Sequence, residues 1–314
     1  MKTLLVGYKA ADLTPELLEG DVTCHVLDIY HRHAIEKVHH AKCVCSAHLP
    51  EGPWDLIKFK TGPKIHSGEL SLDLLQECHR FGCKVEVDFA GKERDRNDLL
   101  NKIKDDPTRV RSFKAEWPAS VPGGEKLMFT SYPGCFCHRR LDEGGLALAE
   151  VVCREILNTE AQRHREEGLR FLDMGCGCGL VGFLIANRLK QTIKQSNNHT
   201  ISLVLVESHS RAVEAATENA AKFGIPAEVI LSDSGTPARM DGTFDVFVGN
   251  PPYYSDYRIA EVFLETAKRA LKPGGVCYTV VKNAAGLKPV QEKFFPSVAV
   301  IARRGYAVLK SVKE

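Results

Sequence analysis

The sequence predicts an α/β protein with a complete, doubly wound parallel sheet in its C-terminal half and a reduced copy of the same plan in its N-terminal half. Three observations predict this. From residue 168 onward, short apolar runs alternate with helical periods. Each of the first four runs ends in a polar residue, and a shorter series with the same order of elements fills the first hundred positions. Near-continuous apolar strands separated by helices imply a parallel sheet covered on both faces.

The elements of the second half read in order. "LRFLDM" (169–174) is a strand, followed by a glycine-rich turn and the apolar helix "LVGFLIANRLK". "ISLVLVE" (201–207) is the next strand, and "SRAVEAATENAAKFG" an alanine-rich helix stopped by Gly224. "AEVILSD" (227–233) and "FDVFVGN" (244–250) are the third and fourth strands. "IAEVFLETAKRALKPGG" is expected to be a helix with a Pro-Gly-Gly stop, and "VCYTVV" the fifth strand. "SVAVIARRGYAVLKSVK" reads as a hairpin turning at Gly305, which makes seven strands.

Ligands of such sheets lie beyond the carboxyl ends of the strands. Here those ends carry Asp173, Glu207, Asp233 and Asn250. Between the first strand and its helix, Gly175, Gly177 and Gly179 let the backbone turn tightly and approach a ligand closely. A glycine turn followed by an acid at the next strand end suits a nucleoside cofactor, because the carboxylate can accept from ribose hydroxyls. A nicotinamide dinucleotide would want its pyrophosphate at the helix N-terminus. Asp173, placed just before the turn, would repel pyrophosphate but suits the ammonium of a methionine moiety, which favours S-adenosylmethionine.

The fourth strand stops at Asn250-Pro251-Pro252-Tyr253. Two prolines cannot continue a ladder, so the tip is rigid. The Asn250 side-chain carbonyl and the Pro251 backbone carbonyl are two acceptors that can hold an –NH₂ group by its hydrogens. Tyr253 offers a face for stacking a base, worth about 1–3 kcal/mol. Placing an amine in line with an electrophilic methyl is the main catalysis this chemistry needs.

"FLDMGCGCGLVG", "VLVE", "SD" and "NPPYY" resemble, in order, the motifs of class I S-adenosylmethionine-dependent methyltransferases acting on amino groups. "FTSYPGCFCHRRLDEGGLALAEVV" (129–152) is similar to the segment that precedes the glycine loop in the methyltransferase small-domain family, which contains bacterial ribosomal RNA guanine-N2 methyltransferases. The resemblance covers about residues 127–314 and departs at Cys135, Cys137, Cys176 and Cys178, which fill variable slots. It implies a cofactor set of Asp173, Gly175, Cys176, Gly177, Gly179, Glu207, Ser208, Asp233, Ser234 and Asn250. Catalysis then falls to Asn250, Pro251, Pro252 and Tyr253, and substrate contact to Phe136, Arg139, Asp142, Tyr254 and Arg258. Arg140 flanks the same pocket. RNA, free or within a ribosomal subunit, is the implied partner of a monomeric enzyme. Methylation of adenine N6 or of a protein glutamine amide would use the same tip. A non-catalytic RNA-binding or assembly factor is the alternative of another class.

The first half echoes the second. "WDLIKFKTGPK" (54–64) lies beside "FDVFVGNPPYY" (244–254), and "CHVLDIYHRHAIEK" beside "LVLVESHSRAVEA". Internal duplication is the economical reading, with convergent α/β grammar the alternative. The copy has no glycine-rich turn and has "KTGP" in place of Asn-Pro-Pro-Tyr, so it is expected to keep the fold and lose the cofactor. The expectation is therefore tandem Rossmann-like methyltransferase folds, with residues 1–115 the degenerate copy and 116–314 the catalytic domain. Lys and Arg in 91–114 either track phosphates or form a solvated helix face, since they alternate with acids.

Composition narrows the class. The 314 residues are 44% hydrophobic and 26% charged with a formal charge of +2, ordinary values for a globular chain of this length. No apolar run nears the ~20 residues that span a bilayer, and the N-terminus lacks a signal-peptide pattern, so a cytoplasmic protein without membrane contact is expected. The eleven cysteines are expected to be reduced, because C-x-C spacing is unlike structural zinc sites. No metal is expected at His31, His33, His39 and His40, which have no carboxylate pattern beside them.

Overall fold

The structure is a computed structural model that describes residues 1–104, 111–158, 168–193, 201–252 and 257–314. The chain divides into two compact units. The first comprises 1–115 with 131–138 and 208–211; the second comprises 116–130, 139–207 and 212–314.

The first unit is built on five parallel strands, β1 (Lys2–Val6), β2 (Asp21–Val26), β3 (Cys43–Cys45), β4 (Leu56–Thr61) and β5 (Lys84–Phe89), in the order β3-β2-β1-β4-β5. Helices α1 (Ile29–His39), α2 (Gly68–His79) and α3 (Glu93–Lys104) connect or follow them. Asp28 caps α1 by accepting from the Tyr30 N–H, and Ser67 caps α2 by accepting from the Leu70 N–H. β1 is central and buries four consecutive residues, Thr3, Leu4, Leu5 and Val6, whereas the edge strand β5 alternates apolar and charged residues. α3 buries Leu99 and exposes most of its charges, which fits the solvated-face reading of 91–104; positions 105–110 of that basic stretch lie outside the described residues.

The second unit opens with a two-stranded sheet of β6 (Ala115–Ala119) and β7 (Leu127–Ser131) and the helix α4 (Glu143–Asn158). Its main sheet contains β8 (Leu169–Met174), β9 (Ile201–Glu207), β10 (Ala227–Leu231), β11 (Phe244–Gly249), β12 (Leu271–Val281), β13 (Ala299–Arg303) and β14 (Tyr306–Val312). The order is β10-β9-β8-β11-β12-β14-β13, with β14 antiparallel to both its neighbours and the rest parallel. The seven-stranded, doubly wound sheet with a C-terminal hairpin is therefore as the sequence predicts. Helices α5 (Leu180–Ile193), α6 (Ser210–Phe223), α7 (Arg258–Ala270) and α8 (Ala284–Glu292) follow β8, β9, β11 and β12. Ala260, Phe263, Leu264, Ala267 and Ala270 form the buried stripe of α7, at the spacing of one helical face. α4 is buried continuously from Gly144 to Cys153, and its Glu150 is neutralised by Arg303 and Arg304 of the hairpin.

One boundary differs from expectation. "LKPGG" belongs to β12 and not to the preceding helix, because Leu271 already pairs with Phe244 and the register shifts between Phe244 and Val246. The extra residues loop out at Gly274, whose φ of +79° is a left-handed turn, and its N–H donates to the Lys313 carbonyl at 2.7 Å.

The first sheet repeats the first five strands of the second. β1 pairs Val6 with His25 and Phe59, as β8 pairs Met174 with Val206 and Gly249. In that register Leu5 stands where Asp173 stands, Val26 where Glu207 stands, and Lys60 where Asn250 stands. The N-terminal unit is thus a degenerate copy that lacks all three groups.

Candidate active site

The sequence that folds the glycine turn also aims it. β8 is apolar until Asp173, which is 2% exposed and accepts the Gly182 N–H in the first turn of α5 at 2.9 Å. Burial pushes the Asp173 carboxyl up to about 7; the Gly182 bond opposes this, and the charges of Glu207 and Asp142 add to it. Gly175 sits at φ +68°, and a Cβ there would come 2.7 Å from the Phe263 ring. Gly179, at φ +87°, leaves the room that the Phe183 ring fills. The N–H groups of Gly175 and Cys176 both donate to the Val206 carbonyl, and Gly177 N–H donates to Glu207 Oε2 at 2.8 Å. The turn is therefore pinned to the ends of β8 and β9, and one oxygen of Glu207 takes part in holding it. Burial raises the Cys176 thiol well above its ordinary value, in keeping with a small buried residue in the turn.

Asp233 and Ser234 follow β10; Asp233 is half-buried and Ser234 exposed, its N–H donating to Ser232 Oγ at 3.2 Å. Ser208 belongs to the first unit, where its hydroxyl donates to Asp28 Oδ2 at 3.0 Å. At the end of β11, Asn250 is half-buried and its Nδ2 donates to Asp142 Oδ2 at 2.8 Å. Pro251 is buried and Pro252 half-buried. Tyr253 and Tyr254 lie outside the described residues. Arg258 is exposed on the first turn of α7, Arg139 is exposed at φ +64°, Arg140 is exposed, and Phe136 is 66% exposed in the first unit.

The structure thus places Asp173, the glycine turn, Glu207 and Asn250 at the carboxyl ends of three neighbouring strands, β9, β8 and β11. The set comprises carboxylates at two strand ends, a turn whose glycines carry no side chain, and an amide at the third, groups whose chemistry can take up a cation and hydroxyls. It fits an aminoacyl nucleoside such as S-adenosylmethionine.

Sequence reasoning missed two features here. One is the bond between Asp142 and Asn250, which are 108 positions apart. The other is the ring of Tyr306, which stands 3.2 Å from where a Gly144 Cβ would be and carries Lys282 Nζ at 4.2 Å from its centroid. The glycine pair at 144–145 was the only available signal for either, since two adjacent glycines inside a helix need a packing reason.

A seven-stranded, mostly parallel unit with acids at its strand ends, beside a five-stranded unit of the same strand order without them, defines a tandem methyltransferase-type α/β protein. Residues 126–310, more than half of the chain, match the methyltransferase small domain, and the chain belongs to that family. A Ribosomal RNA small subunit methyltransferase C of Haemophilus influenzae is 25% identical over 193 residues, covering 60% of this chain and 52% of the relative. The protein of that name from Hahella chejuensis is 31% identical over 174 residues, or 53% and 44% of the two chains. The chain spans about half the length of these curated relatives. The uncharacterized protein YbxB of Bacillus subtilis is 26% identical, over 65% of this chain and 94% of its own. Among solved structures, the T. thermophilus 16S rRNA N2 G1207 methyltransferase (RsmC) in complex with AdoMet and guanosine superposes with a TM-score of 0.77. At 17% identity it covers 100% of this chain and 88% of its own, which shows a shared two-unit fold. Among the described residues no helix is long and apolar enough to cross a membrane.

Proposed function

We propose that this chain is an S-adenosylmethionine-dependent methyltransferase that modifies an exocyclic amino group of a nucleobase in RNA, guanine N2 of ribosomal RNA in particular. The observation that carries this reading is the placement of Asp173, Glu207 and Asn250 at three adjacent strand ends, with each replaced in the degenerate copy. The names of the ribosomal RNA methyltransferase relatives, and a fold match to an enzyme of that class bound to AdoMet and guanosine, support the substrate class. The same reading divides the chain into a degenerate 1–115 and a catalytic 116–314, acting as a cytoplasmic monomer on RNA or a ribosomal particle.

S-adenosylmethionine supplies an electrophilic methyl on a positively charged sulfur. Asp173 would hold its ammonium, Glu207 its ribose hydroxyls and Asp233 its adenine amine. Asn250 Oδ1 and the Pro251 carbonyl accept from the two hydrogens of the target amine, which aims the nitrogen lone pair out of the ring plane. With the cofactor bound, the amine held by Asn250 and Pro251 would accept that methyl, and its proton would leave to water after transfer. No base is required before attack, since the nitrogen becomes acidic only once methylated. Tyr253 stacks on the base.

The test is transfer of labelled methyl from the cofactor to total RNA and to isolated ribosomal subunits, followed by nucleoside analysis. N2-methylguanosine is the expected product. Label in N6-methyladenosine or in protein would move the reading to another amine, and absence of transfer from a chain that binds the cofactor would count against it.

A further inference from the structure

We propose that Asp142 is a positioning residue that decides which end of the Asn250 amide faces the crevice, so that the site accepts only a nucleophile with hydrogens to donate. This rests on the reading of Asn250 as the acceptor for the target amine. The observation is a contact of fixed polarity: Asn250 Nδ2 lies 2.8 Å from Asp142 Oδ2. A carboxylate can only accept. The amide must therefore turn its NH₂ to Asp142, which leaves the carbonyl Oδ1 on the opposite side of the planar group. Without that partner the amide could rotate by half a turn at little cost and present donors to an amine that is itself a donor.

Asp142 is held so that it cannot follow such a rotation. Its Oδ1 accepts the Gly144 N–H at 3.0 Å and its carbonyl accepts the Leu146 N–H at 2.9 Å, so the residue caps α4. A cap needs one side-chain oxygen; the second is committed to Asn250. The next residues make room for this arrangement. A Cβ on Gly145 would lie 2.6 Å from Asp142 Oδ2, and one on Gly144 would lie 3.4 Å from Oδ1 and 3.2 Å from the Tyr306 ring. Neither glycine has a positive φ, and alanine is the better helix former at both positions. Space for the carboxylate and the ring accounts for the pair. Asp142 thus acts through Asn250 and not by touching the base.

The experiment compares five variants of the full chain, Asn250→Ala among them, in single-turnover methyl transfer on the RNA that the wild-type protein labels. Asp142→Ser keeps a good helix cap but has one short oxygen, which cannot serve both partners. Gly145→Ala pushes the carboxylate aside while favouring the helix. Each should lower the rate about 10- to 100-fold, the scale of a misplaced reacting group, with the denaturation midpoint, and cofactor affinity measured above about pH 8 where Asp173 is ionised throughout, close to wild type. Asn250→Asp alone sets two carboxylates against each other. Combining it with Asp142→Asn restores a donor facing an acceptor and leaves a carboxylate oxygen towards the crevice. The exchanged pair should then exceed the Asn250→Asp single variant by about tenfold or more, as coupled partners do.

Full rate in both Asp142→Ser and Gly145→Ala, or an exchanged pair no faster than Asn250→Asp, would overturn the proposal. If Asn250→Ala itself keeps near-normal rate, the reading of the tip fails; if Asn250→Ala is slow while Asp142→Ser is not, only this inference fails. A readout free of activity is the Asn250 side-chain amide in ¹⁵N-resolved NMR, assigned by its loss in Asn250→Ala. One of its protons should be downfield-shifted and slow to exchange in the wild type, and should lose both properties in Asp142→Ser. An amide signal identical in the two proteins would contradict the bond.

Discussion

Lys60 stands in the first sheet at the register position that Asn250 holds in the second. There its ammonium is 3.1 Å from Asp12 Oδ1 and 3.5 Å from Asp88 Oδ2, and it lies over the Tyr8 ring. A strand end that presents an amide in one unit thus carries a cation tied to two carboxylates in the other. With Leu5 and Val26 in place of the two acids, the first unit has none of these three groups at the matching strand ends.

Cofactor stoichiometry should therefore be one per chain by titration calorimetry. Glu207→Ala should weaken that one site through loss of charge-assisted hydrogen bonds worth about 1.5–3 kcal/mol each. Lys60→Ala should leave it unchanged. Two equivalents bound, or unaltered affinity in folded Glu207→Ala, would contradict the assignment.

Cofactor binding should also depend on pH through Asp173. Its folded-state carboxyl titrates at about 7 against an ordinary 3.8, raised chiefly by burial. Below pH 7 the ligand-free site is protonated, and an ammonium ligand has to displace that proton. Affinity should rise by up to about tenfold per pH unit below 7 and level off above it, with proton release seen in buffers of different ionisation enthalpy. Asp173→Asn should bind weakly with a flat profile; a pH dependence that survives in that variant would clear Asp173 of the effect.

Acid stability should be set by the histidines of the first unit. Burial lowers His25, His66 and His209 to about 4, against 6.5 for the free side chain. Depressed bases bind fewer protons folded than unfolded, so their contribution is present above pH 6.5 and lost as pH falls towards 4. Asp173 opposes them with one proton of the other sign over the same range, leaving a net uptake of about two protons on unfolding. The urea midpoint should drop steadily from pH 7 to 4.5. A midpoint constant over that range would show that these rings are solvated.

Asn250→Ala should slow methyl transfer by on the order of 10²-fold or more while barely changing RNA affinity, which phosphate contacts dominate. Tyr253→Ala should impair both rate and base docking, whereas Tyr253→Phe should be mild, since a ring face does the stacking. A Phe variant as poor as the Ala variant in single-turnover kinetics would assign the work to the hydroxyl.

The strand ends were legible in the sequence because a buried run that stops at Asp173, Glu207 or Asn250 announces itself locally. The repeat was legible for the same reason: "WDLIKFK" and "FDVFVGN" keep their apolar phase although the chemistry at the end has changed. What was not legible is pairing at a distance. The glycine pair beside Asp142 signals a packing constraint but does not say that its second oxygen meets Asn250, and nothing around Ser208 indicates that its hydroxyl is turned to Asp28, 180 positions away. The end of α7 was misread because proline and glycine usually stop helices, while here they form a loop inside a strand that had already begun at Leu271.

The cysteine inside the glycine turn has a practical consequence. Only a thiolate alkylates readily, and Cys176 is both buried and held in its protonated form. In the folded protein position 176 should therefore react slowly with thiol reagents. Any labelling at position 176 must pass through an opening that lifts the turn off Val206 and Glu207, so the native sequence already carries a clock for the motion of its own binding loop.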